Sequence, residues 1–445
     1  MSGSVTGRRR FYCVALVALV ALALLSCGGG RQERPDVVLI VIDTLRPDFL
    51  GFYGHEGETA EFLAGLAERS AVMRRAFSTS SWTAPSTASL FTSWLPSRHG
   101  VVEGFVAHQA SAQRQAEEGR EVLSLNRLPT GHQTLAEFFS DGGYRTFGLA
   151  SNINIGEEIG FARGFDRFAL DQWADAEALG HRLDSWLAED DGAQPRLIYL
   201  HLNDVHIPYT VREPWYEHEE NGTPDDAALY RGEIGYVDNA LRGMFERHGW
   251  ADSDTIVAVV SDHGQEFHDH GRHGHGFRLY RELVQVLAMV HAPARGVVPR
   301  QVQGNVSLLD ILPTLADLAG LEALPEWKGV SLVPVLEGGE DPTVHGRAFL
   351  SHRVLTKGKE RREMWSVVQG DWHLIEQESR LELFDLAADP GELDNLVRVR
   401  RDVVAELSAR IAEDRARTRE GYASTIEVEI DEERLRALEA LGYVQ

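Results

Sequence analysis

The chain has 445 residues and a formal net charge of −24, with 25% charged and 43% hydrophobic residues. That length exceeds one simple domain and supplies a large core. A surface this acidic argues against nucleic acid as a partner.

Arg8-Arg9-Arg10 precede an apolar run from Phe11 to Leu25, which has the basic flank and short length of a secretory signal. The run ends Leu24-Leu25-Ser26-Cys27, followed by three glycines. This is similar to the lipobox of bacterial lipoproteins, in which Cys27 would be lipidated and become the new N-terminus. The other reading is an uncleaved anchor helix. A span calls for about 20 apolar residues, which favours the lipoprotein. A multiply acylated cysteine anchors well to a membrane, so the expected location is the bacterial cell envelope, on the periplasmic side or the cell surface. The other cysteine, Cys13, lies inside the segment to be removed, so the mature chain has no internal disulfide and depends on its core.

Residues 28–35 read as a linker. The run 36–42 is apolar and β-branched, a strand buried on both faces. Helical spacing predicts a helix over 59–72. Residues 101–128 are polar, poorly periodic and expected to form a surface insertion. Then come a helix from 134, a strand over 144–150, a helix over 175–187, a strand over 197–202 and a long amphipathic helix over 227–248. Strand 255–260 precedes a histidine-rich loop, a strand over 284–291 and a helix over 308–318. This alternation predicts a doubly wound α/β fold, a mostly parallel mixed sheet flanked by helices across 36–338. The pattern changes after Gly338. Short strands at 348–354, 364–368, 372–376 and 381–385 predict a small antiparallel C-terminal subdomain over 339–399. Helices at 403–417 and 432–441 are expected within 400–445.

Two of the strands are closed by an acid. Asp43 follows Val41-Ile42, and Asp262 follows Val260-Ser261 and precedes His263. Acids at strand carboxyl ends point into the crevice where open α/β sheets bind ligands. Two carboxylates suit Ca²⁺, Mg²⁺ or Mn²⁺, and the neighbouring imidazole extends the choice to Zn²⁺. Standing alone, Asp43 reads as a helix N-cap after a strand; with Asp262 and His263 at an equivalent strand end it reads as a metal ligand. Thr83 precedes Pro85 and a helical stretch, so it sits at a helix N-terminus, where the dipole favours an anion. It is either a nucleophile there or a simple N-cap.

Five segments in order carry a resemblance. They are Ile42-Asp43-Thr44-Leu45-Arg46-Pro47-Asp48 with Gly51-Phe52-Tyr53-Gly54, Thr83-Ala84-Pro85-Ser86-Thr87 through Arg98-His99-Gly100, Asp204-Val205-His206, Ser261-Asp262-His263-Gly264, and Leu383-Phe384-Asp385-Leu386 with Asp389-Pro390-Gly391-Glu392. From Pro35 to Leu396 the chain resembles the sulfatase family of the alkaline phosphatase superfamily. The resemblance implies an alkaline phosphatase-like fold, a metal site of Asp43, Thr83, Asp262 and His263, with Thr83 as nucleophile, and a substrate-binding His206.

The departures redirect the chemistry. Family sulfatases convert a Cys or Ser in Cys/Ser-x-Pro-x-Arg to formylglycine. Here Thr83 and Thr87 replace the first and last of these, and a threonine cannot give that aldehyde, so no formylglycine is expected. The family places a second acid where Thr44 stands. The family's sulfate-binding lysines have no counterpart, because the three lysines, Lys328, Lys357 and Lys359, all lie downstream. The site is more similar to the threonine-dependent branch, which acts on phosphate esters with a divalent ion. Histidines crowd the loop after Asp262: His268, His270, His273 and His275. His275 stands about where relatives carry a lysine, and is expected to bind an oxygen of the substrate or protonate the leaving group. A second metal at Asp204, His206 and a loop histidine is conceivable, although the spacing matches poorly.

Three functions follow. The first is an exported hydrolase or transferase of phosphate esters working through Thr83 and one divalent ion, on a small-molecule, lipid-headgroup or glycan ester. The second is a sulfatase acting without formylglycine. The third is a non-catalytic protein that binds an anionic glycan or headgroup.

Overall fold

The computed structural model describes residues 34–57, 59–104, 122–172, 174–216, 225–340, 346–357, 360–418 and 425–429. In chain order its first elements are β1 (Val37–Ile42), α1 (Glu61–Ala67), β2 (Ala71–Phe77), α2 (Thr83–Thr92), β3 (Val122–Asn126), α3 (Leu135–Asp141), β4 (Arg145–Ala150) and β5 (Arg167–Leu170). Next are α4 (Ala176–Glu189), β6 (Arg196–Leu202), α5 (Asp226–His248), β7 (Ile256–Val260), β8 (Glu266–Phe267), β9 (His273–Gly274), β10 (Gln285–Val286), β11 (Ala288–His291), β12 (Arg300–Ser307) and α6 (Ile311–Leu318). The last are β13 (Ala348–Lys357), β14 (Glu360–Gln369), β15 (Trp372–Gln377), β16 (Arg380–Asp385), α7 (Arg401–Thr418) and β17 (Thr425–Glu429).

The main sheet has nine strands, with β7-β1-β6-β4-β5 parallel in that order and β11 antiparallel beside β7. β2 continues past β10 and β11, and β12 pairs parallel with β2. Alternation along β1 splits the core in two. Val37, Leu39 and Val41 face α2, α3 and α6, while Val38, Ile40 and Ile42 face α1, α4 and α5. Both faces are covered, which is why β1 and β7 read as unbroken apolar runs.

The second sheet, β13-β14-β15-β16, is antiparallel throughout. One face packs Phe349, Met364, Val368 and Phe384 against Phe77, at the end of β2, and Leu279 and Val284. The other packs Trp365, Val367, Leu374 and Leu383 against Val403, Leu407 and Ile411 of α7. β13 also grips the loop after β2. The His352 amide donates to Thr79 O (2.8 Å), and Ser351 Oγ donates to Ser78 O (2.7 Å).

Several expectations are revised. The helix expected over 59–72 ends at Ala67, and β2 begins at Ala71, because Val72 is held between β11 and β12 by long-range pairing that overrides its helical spacing. Within the expected insertion 101–128, Val122–Asn126 forms a strand with Thr425–Glu429. β5 and β12 were not expected: β5 is half-buried throughout, and β12 is an irregular strand with a register shift between Val302 and Asn305. The signal segment, Cys27 and the helix expected over 432–441 lie outside the described residues. Among the described residues no helix is long and apolar enough to cross a membrane.

An ion pair ties the histidine loop to its surroundings. His270 Nδ1 meets Glu282 Oε1 at 2.8 Å, its Nε2 reaches Glu392 O at 3.3 Å, and its ring stacks on Tyr280 at 3.7 Å. Burial works against the charged ring, but the Glu282 hydrogen bond and charge prevail and raise His270 to about 9. A pKa raised above the ordinary value of about 6.5 gives stabilisation that is complete below about 6.5 and lost as pH rises through about 9. Both side chains are largely buried, so their desolvation offsets much of the attraction and the contribution is modest. Chemical denaturation from pH 7 to pH 10 is expected to show a fall in stability that is smaller in His270→Gln.

Candidate active site

The parallel register brings the chemistry together. Val41 pairs with Val260 and with His201, and His201 pairs with Ala150. Paired residues of parallel strands share a face, and so do residues two apart. Asp43, Asp262, His201 and Asn152 therefore all emerge on the face covered by α2.

Asp43 is completely buried. Its Oδ2 accepts from His201 Nε2 (2.9 Å) and Asn152 Nδ2 (2.6 Å), and the Tyr199 hydroxyl donates to His201 Nδ1 (2.8 Å). Asp262 Oδ1 accepts from the amides of Thr44 (3.1 Å) and His263 (2.9 Å). The remaining oxygens, Asp43 Oδ1 and Asp262 Oδ2, are buried and have no hydrogen-bond partner among the described residues. Both face His263 Nε2, at 3.8 Å and 3.5 Å. His263 Nδ1 donates to Gly264 O (2.9 Å), which leaves Nε2 as the lone-pair nitrogen. Thr83 Oγ1 lies 3.2 Å from that same Nε2.

These donors fit a divalent ion. Two orphaned carboxylate oxygens and one imidazole nitrogen lie within 4.8 Å of one another. Ligands at bond lengths of about 2.0–2.6 Å stand at such separations. Two carboxylates buried against each other without a counter-charge are costly. Burial and the Asp43 charge accordingly push Asp262 well above the usual carboxylate range. Asp43 feels the same burial, but the His201 hydrogen bond and the nearby imidazoles outweigh it and hold the group below that range.

α2 delivers Thr83. All ten of its residues are buried, and it starts after Trp82 in extended conformation with Pro85 in its first turn. Ser86 Oγ donates to Asp262 O (2.9 Å), fixing the helix start against the β7 loop.

His206 and His275 join the group. The His275 ring lies 4.6 Å from that of His263 and 4.8 Å from that of His206. Nδ1 of His275 donates to Gln265 Oε1 (2.7 Å) and Nδ1 of His206 to Ile207 O (2.5 Å). In all three histidines Nδ1–H is thus committed and Nε2 carries the lone pair. Burial lowers the pKa of each, that of His275 furthest, so they are neutral near pH 7. The rest of the histidine loop turns elsewhere: His273 meets Asp226 (3.0 Å), and His270 meets Glu282. Asp204 binds the Ala176 amide and Arg212, and among the described residues it joins no metal-holding group with His206.

The family model described as Sulfatase matches residues 35–321. The chain belongs to the sulfatase family. A second model, N-sulphoglucosamine sulphohydrolase, C-terminal, matches residues 269–417. The chain is similar to Delta 4,5-hexuronate-2-O-sulfatase of Bacteroides thetaiotaomicron, at 23% identity over 91% of this chain and 94% of that one. It is similar to choline-sulfatase of Rhizobium meliloti, at 25% identity over 82% of each. In fold it is similar to the phosphonate monoester hydrolase of Agrobacterium radiobacter, with a TM-score of 0.66 and 20% identity, covering 86% of this chain and 96% of that one. This sulfatase-family protein is therefore an ester hydrolase with an alkaline phosphatase-like fold.

Its departures from the family pattern have structural expression. Thr44, where the family has a second acid, takes a left-handed φ of 58° and turns its hydroxyl to Val205 O (2.9 Å). Tyr230 OH donates to Thr44 O (2.8 Å). The position serves the strand-to-loop turn, and its hydroxyl is committed to the Val205 carbonyl. Thr87, where the family has arginine, is buried with its hydroxyl unpartnered.

Sequence reasoning missed Arg353 and gave His201 and Asn152 no role. Arg353 comes from β13, is 3% exposed, and lies 4.8 Å over the Trp82 ring. Its Nε donates to Gly276 O (2.9 Å) and its Nη1 to Val102 O (3.1 Å). Burial lowers it to about 10, against the pull of Glu103, so it is a fixed cation whose field also depresses His263 and His275. Gly276 permits this packing: at φ 79° its added Cβ would lie 2.3 Å from Trp82. No local pattern marks Arg353. The role of His201 is readable only once β1 and β6 are paired.

His201 orients Asp43, and such supporting partners affect metal affinity about 10–100-fold. Calorimetric titration with Mn²⁺ or Zn²⁺ is expected to show at least tenfold weaker binding in His201→Gln than in wild type.

Proposed function

We propose that this protein hydrolyses phosphate esters, or transfers their phosphoryl group to an alcohol, using unmodified Thr83 as nucleophile and one divalent ion held by Asp43, Asp262 and His263. The observation that carries this reading is the position of Thr83 Oγ1, at a helix start and 3.2 Å from His263 Nε2, beside two unpartnered carboxylate oxygens. When bound, Mn²⁺, Mg²⁺, Ca²⁺ or Zn²⁺ supplies positive charge that favours the ionised threonine and the anionic transition state.

The chain's own groups do the rest. Thr83 Oγ1 gives up its proton and forms a bond to phosphorus as the ester P–O bond breaks, and that proton ends on the departing oxygen. The α2 N-terminus and the Arg353 cation favour the anion formed there. His275, neutral and fixed through Gln265, takes the proton released by Thr83 at Nε2 and passes it to the leaving oxygen; in the second half it takes one from the incoming water or alcohol and returns it to Thr83 Oγ1. His206 orients the substrate. Water releases phosphate from the phospho-threonine, and an alcohol takes the phosphoryl group in transfer.

The two named sequence relatives are sulfatases, which favours sulfate esters as a second reading. A sulfo-threonine would require attack at sulfur to turn over, whereas a formylglycine hydrate expels sulfate by elimination. Phosphate therefore ranks first. Assay of paired aryl phosphodiester, phosphomonoester and sulfate esters with each metal is expected to show metal-dependent phosphoester turnover that falls at least 1,000-fold in Thr83→Ala, on the order of a lost nucleophile. Faster sulfate-ester turnover would reverse the ranking.

We also infer export and anchoring through a lipidated Cys27, on the basic flank, short apolar run and Leu24-Leu25-Ser26-Cys27 pattern. Labelled palmitate is expected to enter wild type and not Cys27→Ser; equal labelling, or none in either, would refute lipidation.

A further inference from the structure

A cavity of 230 Å³ opens beside the proposed nucleophile site, with Asn203 and His206 in its wall. Both residues connect it to the chemistry. His206 meets the His275 ring edge-on at 4.8 Å. Asn203 Oδ1 accepts from Asn152 Nδ2 (2.9 Å), the amide that also donates to Asp43 Oδ2. A group attached to an ester oxygen at His206 would enter this space.

The rest of the wall has a definite charge. Asp175, Asp204 and Glu233 line it, and among its described lining residues Arg212 is the one cation. Arg212 is fully engaged. It donates to Glu233 Oε2 (2.7 Å) and Asp204 Oδ1 (3.2 Å), meets Asp175 Oδ2 at 3.7 Å, and lies 3.9 Å over the Tyr236 ring. The other Glu233 oxygen accepts from both the amide (2.8 Å) and the hydroxyl (2.6 Å) of Thr210. Three carboxylates against one guanidinium leave a negative excess. One acceptor is also left over: Asp204 Oδ2 has no partner among the described residues, although the side chain is only 1% exposed. Burial raises Asp204 to about 7, against the pull of the Ala176 amide and Arg212, as expected of a carboxyl short of positive partners.

We infer that this cavity is the leaving-group subsite and that it selects an alcohol bearing an ammonium group over neutral or anionic alcohols. The inference rests on the reading of Thr83 as nucleophile and names the substrate class for that site. A cation placed there gains the attraction of the unbalanced carboxylates, and a carboxylated or sulfated alcohol meets repulsion, so the acidic wall acts for one class and against the other.

The test uses three phosphodiesters that differ only in the leaving alcohol: 2-(trimethylammonio)ethyl, its uncharged isostere 3,3-dimethylbutyl, and a carboxylated analogue. Wild type is expected to favour the ammonium ester over the isostere at least tenfold in kcat/KM and to turn over the carboxylated one slowest. Asp204→Asn is expected to collapse the ammonium-to-neutral ratio toward one. Asp175→Asn, on the half-exposed rim, should lower the ratio by a smaller factor without risk to the core. Equal kcat/KM for the ammonium and neutral esters in wild type would overturn the subsite and leave the Thr83 reading standing. Silence on all three esters would count against the Thr83 reading. Calorimetry of the metal-loaded protein with the free ammonium alcohol and its neutral isostere then decides the subsite alone. Preferential binding of the ammonium alcohol, weakened in Asp204→Asn, supports it, and equal or absent binding of the two overturns it.

Discussion

Asp43 and Asp262 leave adjacent parallel strands at the same level and on the same face, and two of their oxygens meet no donor among the described residues. A buried carboxylate pair of this kind is unfavourable unless a proton or a cation divides its charge. Every polar contact around the pair spends itself on the other two oxygens. His201 and Asn152 hold Asp43 Oδ2, and the Thr44 and His263 amides hold Asp262 Oδ1. The unpartnered oxygens, with His263 Nε2 facing them, form a negative, preorganised niche that a divalent ion fits, and Thr83 stands at its edge.

The small C-terminal sheet is part of the same machinery. β13 hydrogen-bonds the loop that carries the chain from β2 to α2, so it sets the approach of Thr83. From the same strand Arg353 extends under Trp82 to Gly276, the neighbour of His275. A buried guanidinium held by backbone carbonyls cannot shed its charge at neutral pH. It gives the pocket a positive element where no lysine is available, and helps keep the neighbouring imidazoles neutral.

Electrostatic contrast runs through the site. The nucleophile end combines a cation niche, a helix N-terminus and Arg353, all suited to an anionic phosphoryl or sulfuryl group. The far wall beyond His206 is acidic, with Arg212 already neutralised by its partners. A substrate with an anionic head and a cationic tail matches both ends. Thr44 belongs to the backbone turn, so an ion held by Asp43, Asp262 and His263 would meet one acid fewer than in the family pattern.

The sequence by itself determined a mostly parallel sheet with helices on both faces, the positions of its buried strands along the chain, and the acids, imidazole and hydroxyl that follow them. Those signals are local: an apolar β-branched run closed by Asp43 or Asp262, and Thr83 before Pro85. Its local pattern did not show which histidines of a crowded loop face inward, and only the family resemblance singled out His275. His268, His270, His273 and His275 lie within eight residues, and only a tight turn and a two-residue ribbon send His275 toward His263 and the others outward. Nor did it show His201 as the partner of Asp43, which requires strand register, or Arg353, which comes from a separate sheet some 270 residues beyond Thr83. Periodicity reports which face of an element is buried. What that face meets is decided by packing between segments far apart in the chain, and so the support, charge balance and walls of the pocket exist only in the tertiary structure.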